Sequence, residues 1–277
     1  MYKLIAVDLD GTLLTDNKEI TEENLDTIHL LIELGYEVVV ATGRSYYSAR
    51  RLTDDIKDPL VYIANNGNVV RNSIDDSLLS SLYLPYGDCE AILREGNNRE
   101  LNPIVHVDYY EEGYDIILDK CGVSKYYDNR LSDNIIRYRE VEDYFSENLD
   151  RVLAIVYPGD RDILMDFHLT INRLYPNRYN SHVMENVVMS DALLEIMNPM
   201  GTKWNTLRQY SLSKDIKPCE IIAFGDDNND IDMIKNVGLG IAMRNGSELV
   251  KNSAKIITER DNNNSGVAFE LKRVLGI

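Results

Sequence analysis

Cysteine is scarce in this chain. Cys89, Cys121 and Cys219 are all it has, an odd number with no CxxC spacing. That argues against a disulfide framework and a cysteine metal centre, points to a reducing compartment, and leaves buried free thiols as the expectation for all three. Long apolar runs are missing too. None approaches the roughly 18–20 residues a membrane span needs. The apolar opening MYKLIAV runs straight into Asp8 and Asp10, unlike a secretory signal. A soluble, cytoplasmic protein with no membrane partner is the expectation.

Positive charge is in deficit. Lys and Arg number 29 against 46 Asp and Glu, a formal net charge of −17. Such a surface repels nucleic-acid phosphates and anionic lipid, so neither is an expected partner. It also repels phosphorylated metabolites at long range, so any anion site must be local, built from a cation, a metal or helix N-termini. There is no internal repeat, low-complexity tract or Pro- or Gly/Ser-rich linker.

What is present suits a folded chain. The 277 residues are 44% apolar and 27% charged, enough for about two domains. Lys3 to Val7, Glu37 to Ala41 and Leu60 to Ala64 are short apolar runs that suit strands buried on both faces. Between them, Thr21 to Leu34 has apolar residues at helical spacing, and Ser45 to Leu52 also reads as a helix. The β-α-β-α-β order implies a doubly wound α/β fold with a parallel sheet. The same alternation returns from Glu220 to Val274. Residues 1–82 and 190–277 are therefore expected to be two halves of one α/β domain. Residues 83–189, rich in tyrosine and acids, are expected to form an inserted α+β domain.

Three segments carry chemistry, each directly after an apolar run. Asp8-Leu9-Asp10-Gly11-Thr12 places two acids on one face, with Gly11 allowing a sharp turn. A carboxylate can attack phosphorus only where a metal cancels the repulsion, and a second carboxylate can move the protons. A bare DxD is also what a solvated acidic turn looks like. Gly225-Asp226-Asp227-Asn228-Asn229-Asp230 delivers further acids to the same sheet edge, or caps a helix. Asp8 with Asp226 would suit Mg2+; zinc would want His or Cys, and EF-hand spacing is absent. Thr42-Gly43-Arg44-Ser45 offers a hydroxyl and free N–H groups at a helix start, a phosphate cradle or a plain cap. Elsewhere, Lys203 at a helix start is disfavoured by the dipole, which hints at an anion nearby; a lone surface lysine is the simpler reading.

In this order the segments resemble the haloacid dehalogenase superfamily, and more closely its Cof-type phosphatases with a large inserted cap. The resemblance extends to Asn66-Gly67, Gly240 to Met243 with Asn245, and Ser265 to Ala268. It implies roles. Asp8 would be the nucleophile and a metal ligand, and Asp10 the general acid/base with its backbone carbonyl on Mg2+. Thr42, Gly43, Lys203 and Asn229 would hold the phosphoryl group. Asp226 would be the third protein ligand, and Asp230 would orient Lys203 or a metal-bound water. Two departures stand out: Trp204 and Arg244 occupy positions where the family usually has glycine. Trp204 would pack in the core or narrow the leaving-group pocket.

The implied activity is hydrolysis of a small phosphomonoester, a sugar phosphate or phosphorylated cofactor, by a monomer or homodimer. The cap would close over the substrate and supply specificity, with Tyr109, Tyr110 and Arg130 as candidate contacts or else surface and core residues. The alternatives are a phosphomutase, which product analysis separates, and a non-catalytic phosphate-binding module, which would be expected to have lost at least one of Asp8, Asp10, Lys203 or Asp226.

Overall fold

The structure is a computed structural model that describes residues 1–120, 137–187 and 190–277. Cys121, Tyr126, Tyr127 and Arg130 lie outside them. The chain forms two units, one of Met1–Ser81 with Thr202–Ile277 and the other of Leu82–Gly201.

The first unit begins with β1 (Leu4–Val7), α1 (Glu22–Glu33), β2 (Glu37–Ala41), α2 (Tyr46–Leu52), β3 (Val61–Ala64), β4 (Val69–Asn72) and β5 (Leu78–Ser81). The second contains α3 (Tyr86–Asn97), β6 (Ile104–Tyr109), β7 (Tyr114–Asp119), β8 (Tyr138–Val141), β9 (Val152–Gly159), α4 (Arg161–Leu174), β10 (Asn180–Val187) and β11 (Ser190–Met197). The chain then returns to the first unit as α5 (Lys203–Ser213), β12 (Ile221–Gly225), α6 (Ile231–Asn236), β13 (Leu239–Ala242), α7 (Glu248–Lys251), β14 (Ile256–Ile257) and α8 (Gly266–Leu275).

The first unit is built on an 8-stranded sheet in the order β14-β13-β12-β1-β2-β3-β4-β5. From β14 to β3 neighbouring strands run parallel, as the buried apolar runs predict. Leu4, Ile5, Ala6 and Val7 are all buried at its centre. Helix α1 starts where Thr21 accepts a hydrogen bond from the Asn24 backbone N–H (3.3 Å), with Glu22 and Glu23 favoured by the dipole in its first turn. The sheet departs from a purely parallel one at one edge, where β3-β4 and β4-β5 pair antiparallel. Both strands escaped the sequence reading because no α-helix separates them from β3, only the short 3-10 turn Asn65–Gly67, and β5 is largely exposed and lacks apolar alternation.

The second unit holds a 6-stranded sheet, β10-β11-β9-β6-β7-β8. Its core joins side chains of α3 and α4, among them Ile92, Phe167 and Ile171, to strand residues such as Val105, Tyr157 and Leu194. Ser190–Met197 pairs along β9 and β10, so this unit runs on to Gly201 rather than ending at 189. Tyr109 stacks on Tyr114 at 5.0 Å, and the Arg137 guanidinium lies 4.7 Å from the Tyr110 ring. Cys89 is buried here, its thiol pushed up to about 12 by burial; Cys219, in the first unit, is free but exposed, contrary to the expectation. Among the described residues no helix is long and apolar enough to cross a membrane.

Candidate active site

Strands β1 and β12 are parallel neighbours in register, Val7 opposite Phe224, and β2 flanks β1 on the other side, with Val7 opposite Val40. Residues that follow these three strands therefore emerge together at one carboxyl edge. They are Asp8, Thr42 and Asp226. Gly11 makes the close approach possible. Its φ is +71°, and a β-carbon there would sit against the Asp226 carboxyl group.

Lys203, the first residue of α5, reaches the same place. Its Nζ donates to Asp8 Oδ1 at 2.7 Å and to Asp230 Oδ1 at 2.8 Å. Asp230 uses its other oxygen to accept the backbone N–H groups of Asp226 (3.1 Å) and Asp227 (3.2 Å), which folds the acidic loop back on itself. Thr12 Oγ1 donates to Asp226 Oδ1 at 3.0 Å. With residual exposures of 5% for Asp8, 1% for Lys203 and 0% for Asp230, the group is withdrawn from water, and the surface-lysine reading falls.

The carboxylates of Asp8, Asp226 and Asp230 each offer an oxygen within 4.8 Å of the others. Three carboxylates facing one ammonium leave two negative charges in excess when all are ionised. Burial is the largest effect on Asp8 and pushes its carboxyl well above the usual range; Asp230 and Asp226 add to that and Lys203 opposes it. Burial and then Asp230 push Asp226 up to about 6. Burial alone would depress Lys203, but Asp230 and Asp8 outweigh it and hold the ammonium charged. An all-oxygen donor set with surplus negative charge and no His or Cys fits a hard divalent cation such as Mg2+.

A prediction follows from the sign of these shifts. Between pH 5 and 7 the folded carboxylates of Asp8 and Asp226 hold more protons than unfolded ones do, so stability falls as pH rises. In metal-free buffer the melting temperature is expected to be higher at pH 5 than at pH 7. Magnesium is expected to shrink the difference. Scanning fluorimetry with and without EDTA measures it, and a flat or opposite trend would contradict the crowded-carboxylate picture.

A cavity of about 400 Å³ opens over the site, lined by Asp8, Asp10, Gly11, Thr42, Gly43, Arg44, Asp226, Asp227 and Asn229. Lys203 and Asp230 are not among the lining residues; Lys203 meets the site through Asp8. The Thr42 hydroxyl is buried and accepts the Arg44 backbone N–H at 3.1 Å, while Ser45 caps α2 by accepting from Ser48 N at 3.3 Å.

Asp10 lines the same cavity but is not one of the three clustered carboxylates. Arg44 grips it with two donors, Nε to Oδ2 at 2.6 Å and an Nη to Oδ1 at 2.7 Å, and Lys18 Nζ adds a third at 2.7 Å. Burial alone would raise this carboxyl, but Arg44 and Lys18 together hold it below the usual range. The sequence reading missed this grip, as it missed Thr12 on Asp226 and Asn245 Nδ2 on the Gly11 carbonyl (2.7 Å). The resemblance covered Thr12 and Asn245 without giving either a role; beyond it the signal was position, since Thr12 closes the first acidic segment and Asn245 follows a strand of the same sheet. The two glycine replacements stay away from the cavity lining. Trp204 is partly buried and packs against the core cluster that contains Leu207 and Met233, which answers for it, and Arg244 donates to the Glu259 carbonyl at 3.0 Å.

Comparison with known proteins places the chain among relatives of one kind. It is 28% identical over 288 residues to the 5-amino-6-(5-phospho-D-ribitylamino)uracil phosphatase YitU of Bacillus subtilis, covering 99% of this chain and 98% of that one. It is 26% identical to the phosphatase of the same name, YbjI, of Escherichia coli, covering 99% and 96%. The crystal structure of a haloacid dehalogenase-like hydrolase from Bacteroides thetaiotaomicron superposes with a TM-score of 0.83 at 25% identity, covering 99% of this chain and all of the other. The haloacid dehalogenase-like hydrolase family matches residues 5–271, and the chain belongs to it.

Proposed function

We propose that this protein is a Mg2+-dependent phosphatase that hydrolyses small phosphomonoesters by passing the phosphoryl group through Asp8. One observation carries the reading: the Lys203 ammonium is shared by Asp8 and Asp230 beside Asp226, directly behind a polar cavity lined by Asp8 and Asp226. A surplus of buried carboxylates has a use where a cation and a phosphoryl group are to be gripped together. The relatives named as phosphatases support the same reaction class.

Lys203 occupies Oδ1 of Asp8 and so leaves Oδ2 as the oxygen that attacks phosphorus. The new Oδ2–P bond forms as the bond from phosphorus to the leaving oxygen breaks. Water then attacks phosphorus, Asp8 is released and inorganic phosphate leaves. Asp8, Asp226 and the backbone carbonyl of Asp10 would hold the cation, with Asp230 near enough to hold a water on it. Bound there, Mg2+ supplies the charge neutralisation that lets a carboxylate approach a phosphoryl oxygen. Thr42, the backbone at Gly43, and Asn229 line the cavity and offer donors to the phosphoryl oxygens.

Asp10 moves the protons. Ionised by Arg44 and Lys18, it is in the form that accepts a proton from the attacking water. To protonate the leaving alkoxide in the first step, Asp10 must take up a proton from solvent, which it does as an incoming phosphoryl anion competes for Arg44 and loosens its grip; the proton then taken from the attacking water in the second step restores that form. The substrate is a phosphate ester of a small polar alcohol, the class that includes sugar phosphates and phosphorylated cofactors.

A phosphate-release screen over a metabolite panel tests the proposal. EDTA is expected to abolish release and Mg2+ to restore it. Ca2+ is expected to do poorly, because its longer and looser coordination misplaces the attacking oxygen. Undiminished release in EDTA, or phosphoryl transfer to a second sugar position with no free phosphate, would contradict it.

A further inference from the structure

The turn after β3 is an unusual piece of backbone at a busy place. Asn65 and Asn66 both have left-handed backbones, with φ of +48° and +55°, and Gly67 follows at +103°. Two successive non-glycine residues in that region are disfavoured, and such strain persists where surrounding contacts fix it. Those contacts reach three separate parts of the site. On one side, Asn65 N donates to the Arg44 carbonyl at 2.8 Å and Asn66 N donates to the Thr42 carbonyl at 3.0 Å, bracketing the Thr42–Arg44 loop. On another, Thr206 Oγ1 donates to the Gly67 carbonyl at 2.7 Å, and Gly67 lies so close to the Thr202 carbonyl that a β-carbon would collide with it. Thr202 caps the helix that begins with Lys203. On the third, the Asn66 carboxamide oxygen accepts from Asn229 Nδ2 at 3.0 Å, across 163 residues of sequence.

Resting on the phosphatase reading above, we propose that Asn66 is a positioning residue for the phosphoryl pocket, holding the Asn229 carboxamide in register with the Thr42–Arg44 loop. Its side chain fixes Asn229, which lines the cavity. Its left-handed backbone directs its N–H at the Thr42 carbonyl. The same side chain limits the space beside Gly43, where a β-carbon would stand 3.1 Å from Asn66 Oδ1. Asn66 thus acts through Asn229 and Thr42 and needs no contact with substrate. Loss of its carboxamide should weaken the grip on phosphate in ground state and transition state alike, and so appear in KM.

The test uses the full-length protein with Mg2+. Asn66→Gly keeps a residue at ease with the left-handed backbone and removes only the carboxamide. It is expected to raise KM about five- to tenfold, the effect of one hydrogen bond, with kcat within about twofold of the wild type. Calorimetry with inorganic phosphate is expected to show the same loss of affinity. Asn229→Ala should match it, and the double variant should be no worse than Asn229→Ala alone, because the two side chains act as one unit. Asn66→Ala should add a fall in melting temperature that Asn66→Gly lacks; equal melting temperatures would remove the backbone part of the proposal. Unchanged KM and phosphate affinity in Asn66→Gly, or effects that multiply in the double variant, would overturn it. Failure of the underlying reading looks different: the wild type itself would release no phosphate from any phosphomonoester.

Discussion

Asp8→Asn is expected to lower kcat by about 10⁴-fold or more while the protein stays folded, a loss of the size seen when a nucleophile is removed. An amide carries no negative charge and does not displace an alkoxide from phosphorus. The fold should tolerate the change, because an asparagine oxygen can still accept from Lys203 and because Asp230 remains the second partner of that ammonium. Removing one carboxylate from a buried group that already has too many also relieves repulsion with Asp226 and Asp230. The melting temperature in metal-free buffer is therefore expected to be unchanged or higher. Phosphate release within tenfold of the wild type would remove Asp8 as nucleophile. A collapse in melting temperature would show instead that Asp8 is needed for the fold.

Lys203→Met should do the reverse to stability. It leaves Asp8 and Asp230, with Asp226 beside them, without the ammonium the first two share in a place that is almost closed to water. Removing one partner of a buried ion pair costs on the order of 3–5 kcal/mol. For a protein of this size that corresponds to a fall of about 10 °C in melting temperature. Adding Mg2+ should recover part of the loss, since a divalent cation meets the same three carboxylates. Activity should drop with it, because Asp8 would no longer be held by one oxygen with the other presented to the cavity. A melting temperature within a degree of the wild type in EDTA would mean that the cluster is already neutralised by bound protons.

These two expectations pull in opposite directions from one hydrogen bond, which makes the pair informative. Both depend on a convergence that was legible early. The apolar runs before Asp8, Thr42 and Asp226 mark strands of a parallel sheet, and such strands end at one edge whatever their order. Lys203 stood out because a cation opens its helix. Its partners turned out to be carboxylates of the protein, the anions that the unfavourable position had hinted at.

Other parts of the site were closed to sequence reasoning for physical reasons. The Arg44 grip on Asp10 depends on where β1 and β2 sit side by side and on which way two long-range side chains turn. Local periodicity carries no record of that. Asn66 was marked only by the family resemblance, which assigned it no role, and its partner Asn229 is reached by folding rather than by spacing. Strands β4 and β5 were hidden because antiparallel pairing needs only a short turn, and an exposed edge strand shows no apolar pattern. In the second unit, β11 alternates Ala192, Leu194 and Ile196 into the core, an apolar pattern that suits a strand of either unit, and its antiparallel pairing with β9 and β10 carries the unit past the boundary that composition suggested.

The most direct test of the account is to catch the phosphoryl group on the protein. A rapid acid quench during steady-state turnover of a good substrate with Mg2+, followed by peptide mass spectrometry, should find a phosphoryl adduct on Asp8 that is absent in Asp8→Asn and disappears on chase with unlabelled substrate. Full turnover with no adduct at any quench time, or an adduct on a different residue, would contradict a reaction that runs through Asp8.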